Sequence, residues 1–216
     1  MTDEQPVYIY RSESVTNFLR LTPYHALKLF GVPTESANAA VKHYPDKESV
    51  DRRLKGTIHK GDSYYLCGPA GTRKTVFAAA LLYHYAKQVA DGEIKGRGDF
   101  RINKFIHVSV PRLLFDFRQT YKKSGDGEAE LLKKMENAST LVLDDLGAEK
   151  TTDWSSSMLH LILDHRYETR NYRTTIITSN LSLETLVEKM EDARIASRVI
   201  GWCSVVKMGD KDLRTV

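Results

Sequence analysis

Cysteine is scarce, with only Cys67 and Cys203 in 216 residues. Two thiols cannot build the bridge framework of a small secreted domain, and no Cys/His cluster has the spacing of zinc ligands. Long apolar runs are missing; nothing approaches the ~18 residues a membrane helix needs. The opening Met1–Pro6 lacks the basic and apolar stretches of a secretory leader. These absences together lead us to expect a cytoplasmic protein. Internal repeats and low-complexity tracts are absent as well. Neither sign of charge dominates: 32 basic residues against 28 acidic ones leave +4. A surplus this small permits nucleic-acid contact without demanding it. What remains, 41% apolar and 28% charged residues, is a folded chain of one or two domains.

Proline divides the chain. Four of the six prolines, Pro6, Pro23, Pro33 and Pro45, lie in the first 45 residues. They break any long helix into short pieces. Phe18, Leu19, Leu21, Ala26, Leu27, Leu29 and Phe30 then supply a small apolar face around Pro23. Residues 1–59 are therefore expected to form a short helical arm, and residues 60–216 a separate α/β domain.

From Gly61 onward, strand and helix signals alternate. Buried strands are predicted at 63–67, 105–110, 140–144, 174–178 and 203–207, where apolar or β-branched residues cluster. Helices are predicted at 74–90, 111–123, 128–137 and 154–169, then two short ones, one capped by Ser182 and one over 192–199. The first helix is apolar on two faces, Val76/Ala80/Tyr83 and Phe77/Leu81/Tyr85/Val89, so it should be buried on most sides. Such alternation implies a parallel sheet flanked by helices.

The motif Gly68-Pro69-Ala70-Gly71-Thr72-Arg73-Lys74-Thr75 follows the first strand and opens the first helix. That is the setting of a phosphate-binding P-loop. Unpaired N–H groups and the helix dipole hold phosphate oxygens, Lys74 reaches the β- and γ-phosphates, and Thr75 places its hydroxyl on Mg²⁺. Arg73 stands where the second glycine belongs. Either its side chain points outward and leaves binding intact, or it weakens or abolishes binding.

The apolar strand Leu141-Val142-Leu143 ends in Asp144-Asp145, a Walker B arrangement. Asp144 is expected to hold Mg²⁺, and Asp145 to orient or deprotonate the attacking water. The β-branched strand 174–178 leads to Asn180, whose amide could hold that water or the γ-phosphate. Arg194 and Arg198 lie four apart on one helix face. An arginine so placed late in a P-loop ATPase can act on a neighbouring copy's nucleotide. Candidate DNA contacts are Lys104, Arg112, Arg118, Tyr121, Lys122 and Lys123, an aromatic among cations. Trp154, Met158, Ile162, His107 and Cys67 read as core.

GPAGTRKT, LVLDDLGAEKTTDW, TIITSNLSLETL and RIASRVIG, in this order, resemble the DnaC/DnaI-type bacterial replicative helicase loaders, which are AAA+ ATPases. The likeness runs over residues 60–214, and the IstB-type transposition helper ATPases look less similar. The resemblance implies a P-loop NTPase core with a parallel five-stranded sheet of order 5-1-4-3-2 and no C-terminal helical lid. It implies ATP/ADP and Mg²⁺ as cofactors. It makes Lys74 and Thr75 the Walker A pair, Asp144 and Asp145 the Walker B pair, and Asn180 the sensor-1 residue. Arg198, with Arg194 close by, becomes an arginine finger acting in trans, and Arg214 the sensor-2 arginine. The implied partners are a hexameric replicative helicase, single-stranded DNA and further copies of the chain. Two alternatives stay open: an adaptor with a degenerate ATPase, and a transposition or phage regulator ATPase.

Overall fold

The computed structural model describes residues 13–54, 62–92, 102–121, 126–150, 152–190 and 193–209. The prolines act as expected on the first of these segments. It folds into four short helices, α1 (Glu13–Leu19), α2 (Pro23–Leu29), α3 (Thr34–His43) and α4 (Lys47–Leu54). Pro23 opens α2 behind the Thr22 cap, and Pro33 is the N-cap residue of α3. In both places the missing N–H costs nothing, because helix-start donors lack intrahelical partners.

The remaining elements alternate: β1 (Ser63–Cys67), α5 (Lys74–Asp91), β2 (Phe105–Ser109), α6 (Val110–Tyr121), α7 (Asp126–Glu136), β3 (Thr140–Asp144), α8 (Asp153–Glu168), β4 (Thr174–Ser179), α9 (Leu183–Met190), α10 (Ala193–Trp202) and β5 (Cys203–Lys207). All neighbouring strands pair parallel, in the order β2-β3-β4-β1-β5. This is the expected order and the P-loop NTPase architecture. Parallel pairing gathers every strand's C-terminal end at one rim, where ligands of open α/β sheets bind. β1, β3 and β4 are buried along their whole length, as their unbroken apolar and β-branched runs require. The edge strand β5 is largely exposed beyond Cys203.

Two apolar cores cover the two faces of the sheet. On one face α5 is buried nearly all round, as its double apolar pattern predicts. The N-terminal helices lie over it: Val15, Phe18, Leu27, Phe30, Val32 and Val50 share one core with Phe77, Leu81, Val142 and Ile176. Ring contacts stitch the two parts, with Phe30–Phe105 centroids at 5.5 Å and Tyr44–Phe77 at 5.1 Å. Each buried Leu or Phe stabilises this seam by about 1.5–3 kcal/mol. Leu29 departs from expectation. It is 64% exposed, because it lies two residues, or about 200° of helix rotation, from the inward-facing Leu27. The other face carries α6 to α10, with Leu113, Phe117, Leu159, Ile162, Leu163 and Val199 in its core. Ile162 is fully buried, while Trp154 and Met158 pack at the margin of this core.

Boundaries shift slightly. α10 runs on to Trp202 because Val199 and Trp202 pack into the second core. Ser182 caps α9 as expected, its Oγ accepting from Thr185 N–H at 3.2 Å. Among the described residues, no helix is long and apolar enough to cross a membrane.

Candidate functional site

The turn after β1 and the start of α5 build one wall. Arg73 is the residue before α5 and takes a left-handed backbone, φ 61°. Glycine adopts this shape without cost, whereas an L side chain pays about 1–2 kcal/mol. The Arg73 guanidinium turns toward α3, where Nη1 lies 2.9 Å from Nε2 of His43. To accept that bond His43 must be neutral; burial and the charges of Arg73 and Lys42 hold its pKa below the ordinary value. The guanidinium thus lies against α3, whose Glu35 and Ser36 line the same cleft as Arg73.

Lys74 is 5% exposed. Its Nζ donates to the carbonyls of Gly68 and Pro69, both at 2.7 Å, and approaches Thr72 Oγ1 at 3.4 Å. Thr72 Oγ1 in turn donates to Pro69 O.

β3 and β4 bring the opposing carboxylates. Asp144 Oδ1 accepts from Thr178 Oγ1 at 2.7 Å, and Thr75 Oγ1 lies 3.0 and 3.1 Å from the two Asp144 oxygens. Burial pushes the Asp144 carboxyl upward, against the downward pull of the two hydroxyls and the Lys74 charge. The next residue, Asp145, also has a left-handed backbone, φ 60°. Its N–H donates to the same Thr178 hydroxyl at 2.9 Å, so one side chain orients both acidic residues. The turn beyond is tied to β4 by Leu146 N–H to Thr178 O and by Ser179 Oγ to Leu146 O.

An open cleft of about 760 Å³ lies between these walls. Arg73, Lys74, Thr75, Asp145 and Asn180 line it, with Glu35 and Ser36 of α3 on the far side. Pro69, Ala70 and Gly71 complete the loop at its mouth. The predicted P-loop, both aspartates and Asn180 therefore converge.

Arg198 makes its contacts elsewhere. Arg198 pairs with Asp164 of α8 at 2.6 Å and stacks 4.7 Å above the Tyr167 ring. Arg194 falls in the first turn of α10, and Arg214 lies outside the described residues. Among the DNA candidates, Arg112 pairs with Asp116 and stacks on Phe115, while Arg118 stacks on Trp154. Tyr121 ends α6; Lys122 and Lys123 lie outside the described residues.

Sequence reasoning missed several contributors. Thr178 sits near the end of β4, two residues before Asn180; that nearness was the available signal. His107 was read as core, and it is buried, with its pKa pushed down to about 4 mainly by burial. Yet its ring faces Asp144, with Nε2 at 3.8 Å from Oδ2. A histidine inside the apolar run Phe105-Ile106-His107-Val108 was the signal. Glu149 is buried and accepts the Gly147 N–H at 2.9 Å, and Lys189 Nζ donates to Gly147 O, which shapes the turn after Asp145. Nothing in the sequence announced that network.

A hydroxyl and a carboxylate touching opposite a buried lysine form a hard-oxygen donor pair suited to Mg²⁺. Among the described residues, no group of three or more His, Cys, Asp or Glu side chains could hold a metal alone. Such a site depends on phosphate oxygens to complete the shell, as Mg²⁺ sites commonly do.

Residues 53–215 match the IstB-like ATP binding protein family. The chain belongs to this family. The chain is similar to the replicative helicase loader DnaC of Escherichia coli strain K12, 24% identical over 137 residues, which is 63% of this chain and 49% of DnaC. A putative insertion sequence ATP-binding protein of Sinorhizobium fredii is 29% identical over 164 residues, 73% of this chain and 59% of that protein. The chain is thus similar both to the DnaC-type loader and to the insertion-sequence protein. The chain spans about half the length of the DnaC relatives it matches. Among solved structures, the DnaC helicase loader superposes with TM-score 0.56 at 24% identity, covering 88% of this chain and 100% of that one. DnaI gives 0.57 at 23%, covering 88% and 95%. AMPPCP-bound DnaA from Aquifex aeolicus gives 0.54 at 20%, covering 74% and 44%. Likeness at these identities carries the shared AAA+ fold.

Proposed function

We propose that this chain is an ATP-dependent helicase loader of DNA replication. The observation that carries the reading is the Thr75–Asp144–Thr178 constellation opposite Lys74, facing a cleft that also holds Asp145 and Asn180. Main-chain N–H groups of residues 70–75 would cradle the phosphates at the α5 N-terminus. Lys74 would exchange its loop carbonyls for β- and γ-phosphate oxygens. Thr75 and Asp144 would hold Mg²⁺, which when bound neutralises charge on those phosphates. Asp145 would take a proton from water as it attacks the γ-phosphorus, and the bond to the ADP oxygen breaks. Asn180 would hold that water in line. Positioning and charge neutralisation carry most of such a reaction.

Arg198 would complete the site of a neighbouring copy after leaving Asp164, with Arg194 beside it. Arg214 would reach the nucleotide as a sensor-2 arginine. The N-terminal residues 1–59 would grip a hexameric replicative helicase. Lys104, Arg112, Arg118, Tyr121, Lys122 and Lys123 would contact single-stranded DNA.

The test is co-purification with replicative helicases in ATP, ADP or no nucleotide, with turnover measured with and without single-stranded DNA. Nucleotide-dependent capture and turnover are expected. Failure to bind any replicative helicase would refute the loader. Arg198→Ala should keep nucleotide binding and lose turnover only in the assembled form; unchanged turnover would remove the trans role. The insertion-sequence relatives favour a second reading, a transposition ATPase that assembles on duplex DNA, and ATP-dependent filaments on duplexes would select it. A chain that captures helicase without turnover would instead be an adaptor.

A further inference from the structure

His107 makes contacts in two directions. Its main chain is where the N-terminal helices join the sheet edge. The His107 N–H donates to Phe30 O at 2.7 Å. Gly31, at φ +92°, packs so closely that an added Cβ would stand 2.7 Å from His107 O. Its side chain, 2% exposed, faces the opposite way into the site, 3.8 Å from Asp144 Oδ2. That distance is beyond hydrogen-bond reach, and the buried Nε2 has no hydrogen-bond partner.

The two oxygens of Asp144 are held unequally. Oδ1 accepts from Thr178, which is itself anchored by the Asp145 N–H, and lies near Thr75. Oδ2 has Thr75 at 3.1 Å on one side and the imidazole on the other. Thr178 is locked into the β3–β4 junction. His107 lies on the edge strand β2, which can shift without breaking the sheet's centre. A buried polar nitrogen without a partner disfavours the resting arrangement over a nearby one in which the gap closes.

We propose that His107 is a positioning residue that couples the seating of the N-terminal helices to the Asp144 carboxylate. A movement of the Phe30–Gly31 corner carries β2 with it. The neutral ring, in the tautomer that carries its hydrogen on Nε2, then donates to Oδ2 and fixes the carboxylate for a divalent cation. The inference rests on the nucleotide and Mg²⁺ reading above and adds a route by which a load on the N-terminal helices reaches the metal carboxylate.

The experiment titrates Mg²⁺ into the full chain with a fluorescent ATP analogue, beside a series in EDTA. His107→Ala should leave affinity in EDTA within about 2-fold and raise the half-saturating Mg²⁺ concentration about 10-fold, the usual cost of losing an outer-shell partner. His107→Gln, which keeps an N–H donor of similar reach, should restore most of the loss. Gly31→Ala, remote from the carboxylate, should shift Mg²⁺ dependence in the same direction. Wild-type Mg²⁺ dependence in His107→Ala, or no rescue by glutamine, overturns the positioning role. A folded Gly31→Ala chain with wild-type Mg²⁺ dependence overturns the coupling. If the unaltered chain binds no analogue under any condition, the nucleotide reading falls and this inference with it. If it binds with Mg²⁺ dependence that no variant moves, the inference alone falls.

Discussion

The two ends of the sheet each bury a cation against main-chain carbonyls, and they treat it differently. At the strands' C-terminal ends, Lys74 reaches back to the carbonyls of its own loop, five and six residues away. At the N-terminal ends, Arg166 of α8 is fully buried, and burial pushes its pKa down to about 9. Its guanidinium donates to Met135 O, Glu136 O and Ala138 O, to Thr174 O at the start of β4, and to Thr175 Oγ1. The planar fork ties the end of α7 to β4 through five uncharged acceptors. Lys74 is a point charge on a flexible stem, and phosphate oxygens can replace its acceptors one for one. Arg166 has no such exit, because its acceptors come from elements that cannot separate without unfolding. A buried cation marks a ligand site when its present acceptors are local and exchangeable, and a structural joint when they come from several elements.

Three substitutions put this contrast at risk. The largest effect is expected at Arg166. Arg166→Met should lower unfolding free energy by about 3–5 kcal/mol, since several buried carbonyls lose their donor. Urea denaturation measures it, and a loss below about 1 kcal/mol would mean that Arg166 is not the joint described. Next comes Lys74→Ala. Nucleotide affinity should fall about 100-fold or more, while the urea midpoint barely moves. A large stability loss with affinity intact would reverse the roles assigned to the two ends. The smallest effect belongs to Arg73→Gly. With the guanidinium turned toward His43, nucleotide affinity should change by less than about 3-fold, read by analogue titration. A gain of tenfold or more would mean that Arg73 obstructs the phosphates, and would favour the adaptor reading.

Much of this arrangement was legible beforehand, for local reasons. The P-loop, the Asp144-Asp145 strand end and Asn180 are contiguous segments whose residue types state their own backbone shapes. Strand and helix periodicity placed them at the same rim. The misses share one cause. Thr178, His107 and Glu149 act only because β2, β3 and β4 lie side by side and the turn after β3 folds back. Leu29 looked like core because an apolar residue near others on a short helix carries no record of which way the helix faces. Arg166 carries no signal of its own in the sequence, since its role depends on acceptors from the end of α7, the segment after it and the start of β4.

By itself, the order of residues determined the element alternation, the phosphate-cradle loop and the acidic strand end. Each depends on backbone preferences and side-chain periods only a few residues long. The tertiary structure alone decided that Arg73 reaches His43, that one threonine orients two aspartates, that the N-terminal helices hold the edge strand beside Asp144, and that Arg198 rests on Asp164. Those contacts all join residues 30 or more positions apart. Pairing over such separations is set by how helices and strands pack, not by any pattern along the chain.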